Sequence, residues 1–196
     1  MTTQSNLAFV FPGQGSQQIG MLADIADKWP GVKDTFAEAS DALGYDLWQL
    51  IQGGTQEELN LTENSQPALL ASSVAVWRVI SAEASVRPAL LAGHSLGEWS
   101  ALVCGGVLDF ADAVKLVRLR GRYMQEAVPV GVGSMAAIIG LADDLIEKCC
   151  ADAAQNEVVN AVNYNSPGQV VIAGHVAAVE RAIDLHRGEL RERATG

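Results

Sequence analysis

The sequence predicts an α/β fold in two parts: a larger domain on a parallel sheet, followed by a smaller α+β module. Three observations carry this prediction. Two short apolar runs, Leu7-Ala8-Phe9-Val10-Phe11 and Ala89-Leu90-Leu91-Ala92, each stop at a glycine-bearing turn, the pattern of buried parallel strands. Helical spacing of apolar residues fills the stretch between them, and Pro129-Val130-Gly131-Val132-Gly133 then breaks the pattern. Beyond that break the order of elements is β-α-β-β-α, a split βαβ module lacking its final strand.

Taken in order, the first strand is stopped by Pro12 and the loop Gly13-Gln14-Gly15-Ser16-Gln17, whose glycines let backbone approach a ligand closely. Val32 to Leu43 and Gln66 to Ser81 predict helices, the second with Pro67 at its start, where a missing N–H does no harm. The strand Ala89 to Ala92 leads into Gly93-His94-Ser95-Leu96-Gly97, and Leu96 to Val103 continues as a helix. Asp109-Phe110-Ala111-Asp112 opens a helix to about Ala127, with acidic residues at its positive end. Met135 to Ile139 predicts a strand, Ala142 to Ala154 a helix, and Val158 to Val162 and Gln169 to Ala173 strands around the turn Asn165-Ser166-Pro167-Gly168. A last helix runs from Val176 to about His186. The expected domains are 1–130, the larger α/β part; 131–190, the smaller module; and 191–196, a divergent tail.

With 196 residues, 49% of them hydrophobic, the chain can bury a real core. Its formal charge of -10 and pI near 4.6 repel phosphate backbones and anionic lipid, which makes nucleic acid a poor partner. The N-terminus carries no basic segment with a long apolar stretch behind it, and no apolar run is long enough to cross a bilayer; a cytoplasmic protein without a membrane partner is expected. Cys104, Cys149 and Cys150 suit neither a disulfide framework nor a metal site, because adjacent thiols do not readily chelate one ion; no metal site is expected.

Ser95 is the leading catalytic candidate. A serine between two glycines, after a strand and before a helix, describes a nucleophile elbow: the glycines remove side chains that would clash in so tight a turn, and the helix start points N–H groups at a developing oxyanion. The other reading of the same pentapeptide is a glycine-rich turn and nothing more. Arg120 is the second candidate. On the helix from Asp109, Lys115, Arg118 and Arg122 share a stripe at about 100° per residue, a solvated face or a greeting for an acidic partner. Arg120 falls instead amid Ala113, Leu116, Val117, Tyr123 and Met124, the face expected to pack inward, where a guanidinium needs an anion. That anion is either an internal carboxylate or the carboxylate of a substrate.

Five segments together resemble one family: Phe11-Pro12-Gly13-Gln14-Gly15-Ser16-Gln17, Gln66-Pro67-Ala68, Gly93-His94-Ser95-Leu96-Gly97-Glu98, Arg120-Gly121 and Asn163-Tyr164-Asn165-Ser166-Pro167-Gly168-Gln169. They stand in the order found in the bacterial malonyl-CoA:acyl carrier protein transacylases, from about Leu7 to Arg181. The resemblance implies a hydrolase-like α/β domain interrupted by a ferredoxin-like α+β small domain, here incomplete. It implies that Ser95 takes the malonyl group from malonyl-CoA and passes it to the phosphopantetheine thiol of acyl carrier protein, for fatty acid biosynthesis. The backbone N–H groups of Gln14 and Leu96 would form the oxyanion hole, Arg120 would pair with the malonyl carboxylate, and Gln66 and Asn165 would line the pocket. No cofactor is implied beyond the coenzyme A thioester as substrate.

The chain also departs from the family. The family's general base is a histidine in a Ser-His motif after the small domain, and no such motif occurs among these residues. His94 and His175 match positions that are not the base, and His186 lies where the resemblance has ended, at about Ile183. A premature or shifted end is therefore expected, with an uncovered sheet edge and low stability. Two other readings stay open: a serine esterase or thioesterase that passes the acyl group to water, and a catalytically dead truncated fragment.

Overall fold

Among the described residues, two parallel strands and seven helices build the first of two units, Met1–Glu126, and the second unit is Ala127–Gly196. The computed structural model describes residues 2–84, 86–129 and 131–195. In the first unit β1 (Thr2–Phe11) pairs in parallel with β2 (Val86–Gly93), Phe11 opposite Gly93, with an irregularity between Gln4 and Ala8. The helices are α1 (Ala23–Lys28), α2 (Gly31–Leu43), α3 (Leu47–Gly53), α4 (Gln56–Asn60), α5 (Thr62–Glu83), α6 (Leu96–Cys104) and α7 (Phe110–Ala127).

Local sequence accounts for several helix ends. Gly44, at φ 77°, stops α2 in a left-handed conformation that costs a glycine little. Asp46 caps α3 by accepting from the Gln49 N–H at 2.8 Å, and Thr55 and Glu58 form a reciprocal capping box on α4. The core gathers Val32, Phe36 and Ala39 of α2, Leu47 and Ile51 of α3, Leu59 of α4, Leu70 and Val74 of α5, Leu96 of α6, and Val114 and Val117 of α7. Phe36 is fully buried and meets Trp48 edge-on at 5.0 Å, so truncating it to alanine would cost about 3–5 kcal/mol.

Three expectations are corrected here. The strands are not buried on both faces: Val10 is 76% and Leu90 67% exposed, whereas Phe11 is buried and Phe9 packs edge-on against Trp77. The described helices cover one face, and side chains alternate across a strand. Pro67 does not open its helix: α5 begins at Thr62, and the proline sits in its second turn. Of the α7 residues expected to pack inward, Leu116, Tyr123 and Met124 are exposed, while Ala113 and Val117 are buried.

In the second unit β3 (Gly133–Ile139), α8 (Asp143–Ala154), β4 (Val159–Ser166), β5 (Gln169–His175) and α9 (Val176–Thr195) follow in chain order. The sheet is antiparallel throughout, in the order β3-β5-β4, so the outer edge of β3 carries no partner strand among the described residues. Its core is Ile138, Leu141, Ile146, Cys150, Val159, Val170, Ile172, Val179 and Ala182. A Cβ on Gly174 would lie 1.9 Å from the Val158 carbonyl oxygen, which restricts that crossing to glycine. The last helix does not end near His186 but runs to Thr195.

Candidate active site

The site in the first unit is assembled where β2 meets α6. Gly93 ends the strand, Leu96 opens the helix, and Ser95 between them takes φ 55° and ψ −112°, a conformation a side chain rarely adopts. Holding it there costs about 1–3 kcal/mol. The turn is closed by the Gly97 N–H donating to the His94 carbonyl at 2.9 Å and the Glu98 N–H to the Ser95 carbonyl at 3.3 Å. Both flanking glycines are sterically required. A Cβ on Gly93 would stand 2.1 Å from the Gly97 carbonyl carbon, and one on Gly97 would stand 2.3 Å from the Phe11 carbonyl oxygen. The second contact fixes the end of β1 against the turn.

A serine at a helix start ordinarily spends its hydroxyl on capping. Ser95 caps nothing, and its side chain is exposed. Its Oγ instead accepts from Nη2 of Arg120 at 2.9 Å. Arg120 reaches it from α7 because α7 passes close to the start of α5: a Cβ on Gly121 would lie 2.4 Å from the Thr62 carbonyl oxygen. Nη1 of the same guanidinium donates to Oε1 of Gln66 at 2.6 Å. Arg120 makes no ion pair among the described residues, so the reading of an internal carboxylate partner is not met. The cation has two neutral acceptors and keeps its full charge for an anion.

Gln66 is fully buried. It lies beneath the guanidinium, Oε1 facing Arg120 and Nε2 donating to Sδ of Met124 at 3.4 Å. The Gln14 side chain donates from Nε2 to Oγ of buried Ser65 at 3.1 Å. The backbone N–H groups of Gln14 and Leu96 have no hydrogen-bond acceptor among the described residues, so both are available as donors. Asn165 is exposed on β4 of the second unit.

The other basic residues of α7 are already engaged. Lys115 pairs with Asp112 at 3.4 Å, Arg122 pairs with Glu126 at 3.2 Å, and Arg118 donates to the Leu43 carbonyl at 3.2 Å while lying over the Tyr45 ring. Of the histidines, His94 is exposed in the turn, and Nδ1 of His175 accepts from the Val158 N–H at 3.0 Å. His186 is 2% exposed in α9, with neither ring nitrogen in hydrogen-bond geometry. Burial pushes its pKa below the usual imidazole value, and the nearby backbone of Ala182 and Ile146 and the Glu189 carboxylate offset this only in part. Burial likewise pushes the Cys104 thiol up to about 12 and the Cys150 thiol to about 11, the wrong direction for a nucleophile. No group of three or more metal-ligating side chains occurs among the described residues, and no helix among them is long and apolar enough to cross a membrane.

Sequence reasoning missed Ser65, Asn60 and Gln56, which hold the loop after β1. Asn60 accepts from Nε2 of Gln17 at 3.0 Å and from Nε2 of Gln56 at 2.9 Å. Their partners lie some forty to fifty residues away along the chain, and no local pattern marks them.

Comparison with known proteins identifies the family of the chain. The family model described as the acyl transferase domain matches residues 8–193. The malonyl CoA-acyl carrier protein transacylase of Escherichia coli (strain K12) is 65% identical over 178 residues, which cover 91% of this chain and 58% of that protein. The solved structure of the malonyl CoA-acyl carrier protein transacylase from Coxiella burnetii superposes with a TM-score of 0.91 at 55% identity, covering 95% of this chain and 58% of that one. A malonyl-transacylase solved in complex with a type II PKS acyl-carrier protein superposes with a TM-score of 0.89 at 60% identity, covering 93% and 59%. The chain thus spans about three-fifths of the length of the relatives it matches. It belongs to the acyl transferase domain family.

Proposed function

We propose that this chain carries the nucleophile of an acyl carrier protein S-malonyltransferase, with Ser95 as the acyl carrier. The supporting observation is the exposed Ser95 Oγ held 2.9 Å from a guanidinium that no carboxylate among the described residues neutralises. Malonyl is a short acid whose carboxylate lies two carbon–carbon bonds from the thioester carbonyl. A cation that grips the far end while a hydroxyl attacks the near end must therefore sit beside that hydroxyl, as Arg120 does. The names of the relatives, transacylases acting on malonyl-CoA and acyl carrier protein, support the same substrates here.

In this reading the β2–α6 turn is a nucleophile elbow. Ser95 Oγ attacks the malonyl thioester carbonyl and loses its proton to solvent, and the resulting oxyanion is met by the N–H groups of Gln14 and Leu96. Collapse breaks the C–S bond, coenzyme A leaves as the thiolate, and a malonyl-serine ester remains. The carrier's phosphopantetheine thiol then attacks the ester carbonyl and gives its proton to solvent, the C–O bond breaks, and Oγ leaves and takes a proton back from solvent. The exchange of ester for thioester is redox-neutral, so coenzyme A enters as substrate and no resident cofactor is invoked. Arg120 exchanges its contact with Oγ for the substrate carboxylate, and Gln66 holds the guanidinium from below. Asn165 is assigned to the substrate pocket by resemblance to the family.

The domains are read as a larger acyltransferase part, 1–130, and a smaller module, 131–190. The order β3-β5-β4 with α8 and α9 is that of a ferredoxin-like module whose fourth strand would add beside β3. We read the protein as cytoplasmic. The test is a chase: the chain is exposed to malonyl-CoA, freed of excess reagent, and divided between buffer and holo acyl carrier protein. Malonyl appearing on the carrier thiol supports the transferase, and loss to water at the same rate in both samples would favour an esterase instead.

A further inference from the structure

We propose that Ser16 and Gln17 are positioning residues that aim the Gln14 N–H at the acyl group on Ser95; this rests on reading Gln14 as an oxyanion donor. A trans peptide is planar, and its C=O and N–H point in opposite directions. The Ser16 hydroxyl donates to the Gly13 carbonyl at 3.0 Å. By holding that carbonyl on one side, it turns the N–H of the same peptide, that of Gln14, to the other. This peptide lies beside the elbow, since a Cβ on Gly13 would stand 3.4 Å from the His94 carbonyl oxygen.

The next peptide is held in the same way. The Gly15 N–H donates to Oε1 of Gln17 at 2.8 Å. Gly15 takes φ 105°, open to glycine and strained for other residues, so this bond is what holds an exposed and permissive peptide by its own N–H against turning over. The Gln17 side chain is anchored in turn, Nε2 donating to Oδ1 of Asn60 at 3.0 Å. Gln56 braces both ends: its Nε2 reaches Asn60 Oδ1 at 2.9 Å and the Gln17 carbonyl at 3.4 Å, and its Oε1 accepts from the Ile19 N–H at 3.2 Å. The Gln14 side chain is tied to buried Ser65. The loop is thus pinned on either side of the Gln14 amide, which is left without an acceptor among the described residues. A hydroxyl and a carboxamide spent on backbone in an exposed loop suit a donor that must not move when charge develops.

The experiment measures malonyl-ester formation by intact mass across malonyl-CoA concentrations for the parent chain, Ser16→Ala, Ser16→Thr and Gln17→Ala, with melting curves and residue-resolved amide exchange on each. Ser16→Ala and Gln17→Ala lower the limiting rate by about tenfold, short of the about 10²–10³ lost when an oxyanion donor is removed outright, and leave the half-saturating concentration and the melting point unchanged. Ser16→Thr, which keeps the hydroxyl, returns the rate to about the parent level. Gln17→Ala also raises exchange of the Gly15 amide by about tenfold, as loss of a hydrogen bond of about 1.4 kcal/mol requires. A parent that loads while Ser16→Ala loads equally fast overturns this inference and leaves the proposed function standing. A parent that never loads overturns the proposed function, and Gly15 exchange then decides the positioning claim: unchanged exchange in Gln17→Ala refutes it.

Discussion

Replacing Arg120 with alanine removes the cation from beside Ser95 and separates recognition of the acyl group from the chemistry performed on it. The guanidinium donates to Ser95 Oγ at 2.9 Å and to Gln66 Oε1 at 2.6 Å, and has no carboxylate partner among the described residues. A malonyl group on Ser95 would lose a charge-assisted hydrogen bond worth about 1.5–3 kcal/mol, the range for half-buried rather than sealed charge. That corresponds to about a ten- to hundredfold fall in malonyl loading, while an acetyl group, which has no far carboxylate, loses nothing from this contact. The variant also leaves the buried Gln66 carbonyl oxygen without its donor, a stability cost of about 1–3 kcal/mol. The assay is competition: equal malonyl-CoA and acetyl-CoA, with the ratio of the two serine esters read by intact mass. The ratio shifts toward acetyl in Arg120→Ala, and Arg120→Lys, with one charge but no fork, falls between. An unchanged ratio in a folded Arg120→Ala chain would remove Arg120 from the substrate site.

Two further outcomes follow from steric and proton balance. Gly97→Ala drives a Cβ to 2.3 Å from the backbone oxygen of Phe11, which cannot yield as a side chain could; it lowers stability by about 1–3 kcal/mol or more and abolishes loading. Gly31→Ala, whose Cβ would meet nothing within 4 Å, is the matched control and melts at or above the parent temperature. His186 is held neutral by burial, so its folded pKa lies below the unfolded value of about 6.5; the unfolded chain binds the proton first, and stability is lost as pH falls from about 6.5. Chemical denaturation of the second unit between pH 7.5 and 5 should show a slope of up to about 1.4 kcal/mol per pH unit that His186→Leu flattens, and parallel losses in both chains would assign the proton elsewhere.

The parts of this site that were legible in the sequence are those set by local geometry. A serine between glycines at a strand-to-helix junction needs only its neighbours to be recognised, and the turn closes as that spacing requires. Arg120 stood out as a cation off the charged stripe of its helix, and the structure gives it Gln66 and Ser95 as acceptors. What was not legible depends on distance along the chain. The apolar runs at β1 and β2 read as strands buried on both faces, but burial is decided by which elements cover them, and Val10 and Leu90 stand open. Pro67 reads as a helix start because a proline there is harmless, yet α5 begins five residues earlier with an unbroken turn before it. The extension of α9 to Thr195, past the expected end near His186, follows from good helix formers such as Glu189, Leu190 and Arg191. Ser65, Asn60 and Gln56 carry no signature at all, since a polar residue on a helix is ordinary until its distant partner is known.

The most direct measurement is the intact mass of the chain after exposure to malonyl-CoA, with the modified residue located by peptide mapping. One malonyl group on Ser95, matched by an equal amount of free coenzyme A and missing from Ser95→Ala, is the predicted result. An unmodified chain at every pH tried, or a malonyl group that persists when Ser95 is alanine, would contradict it.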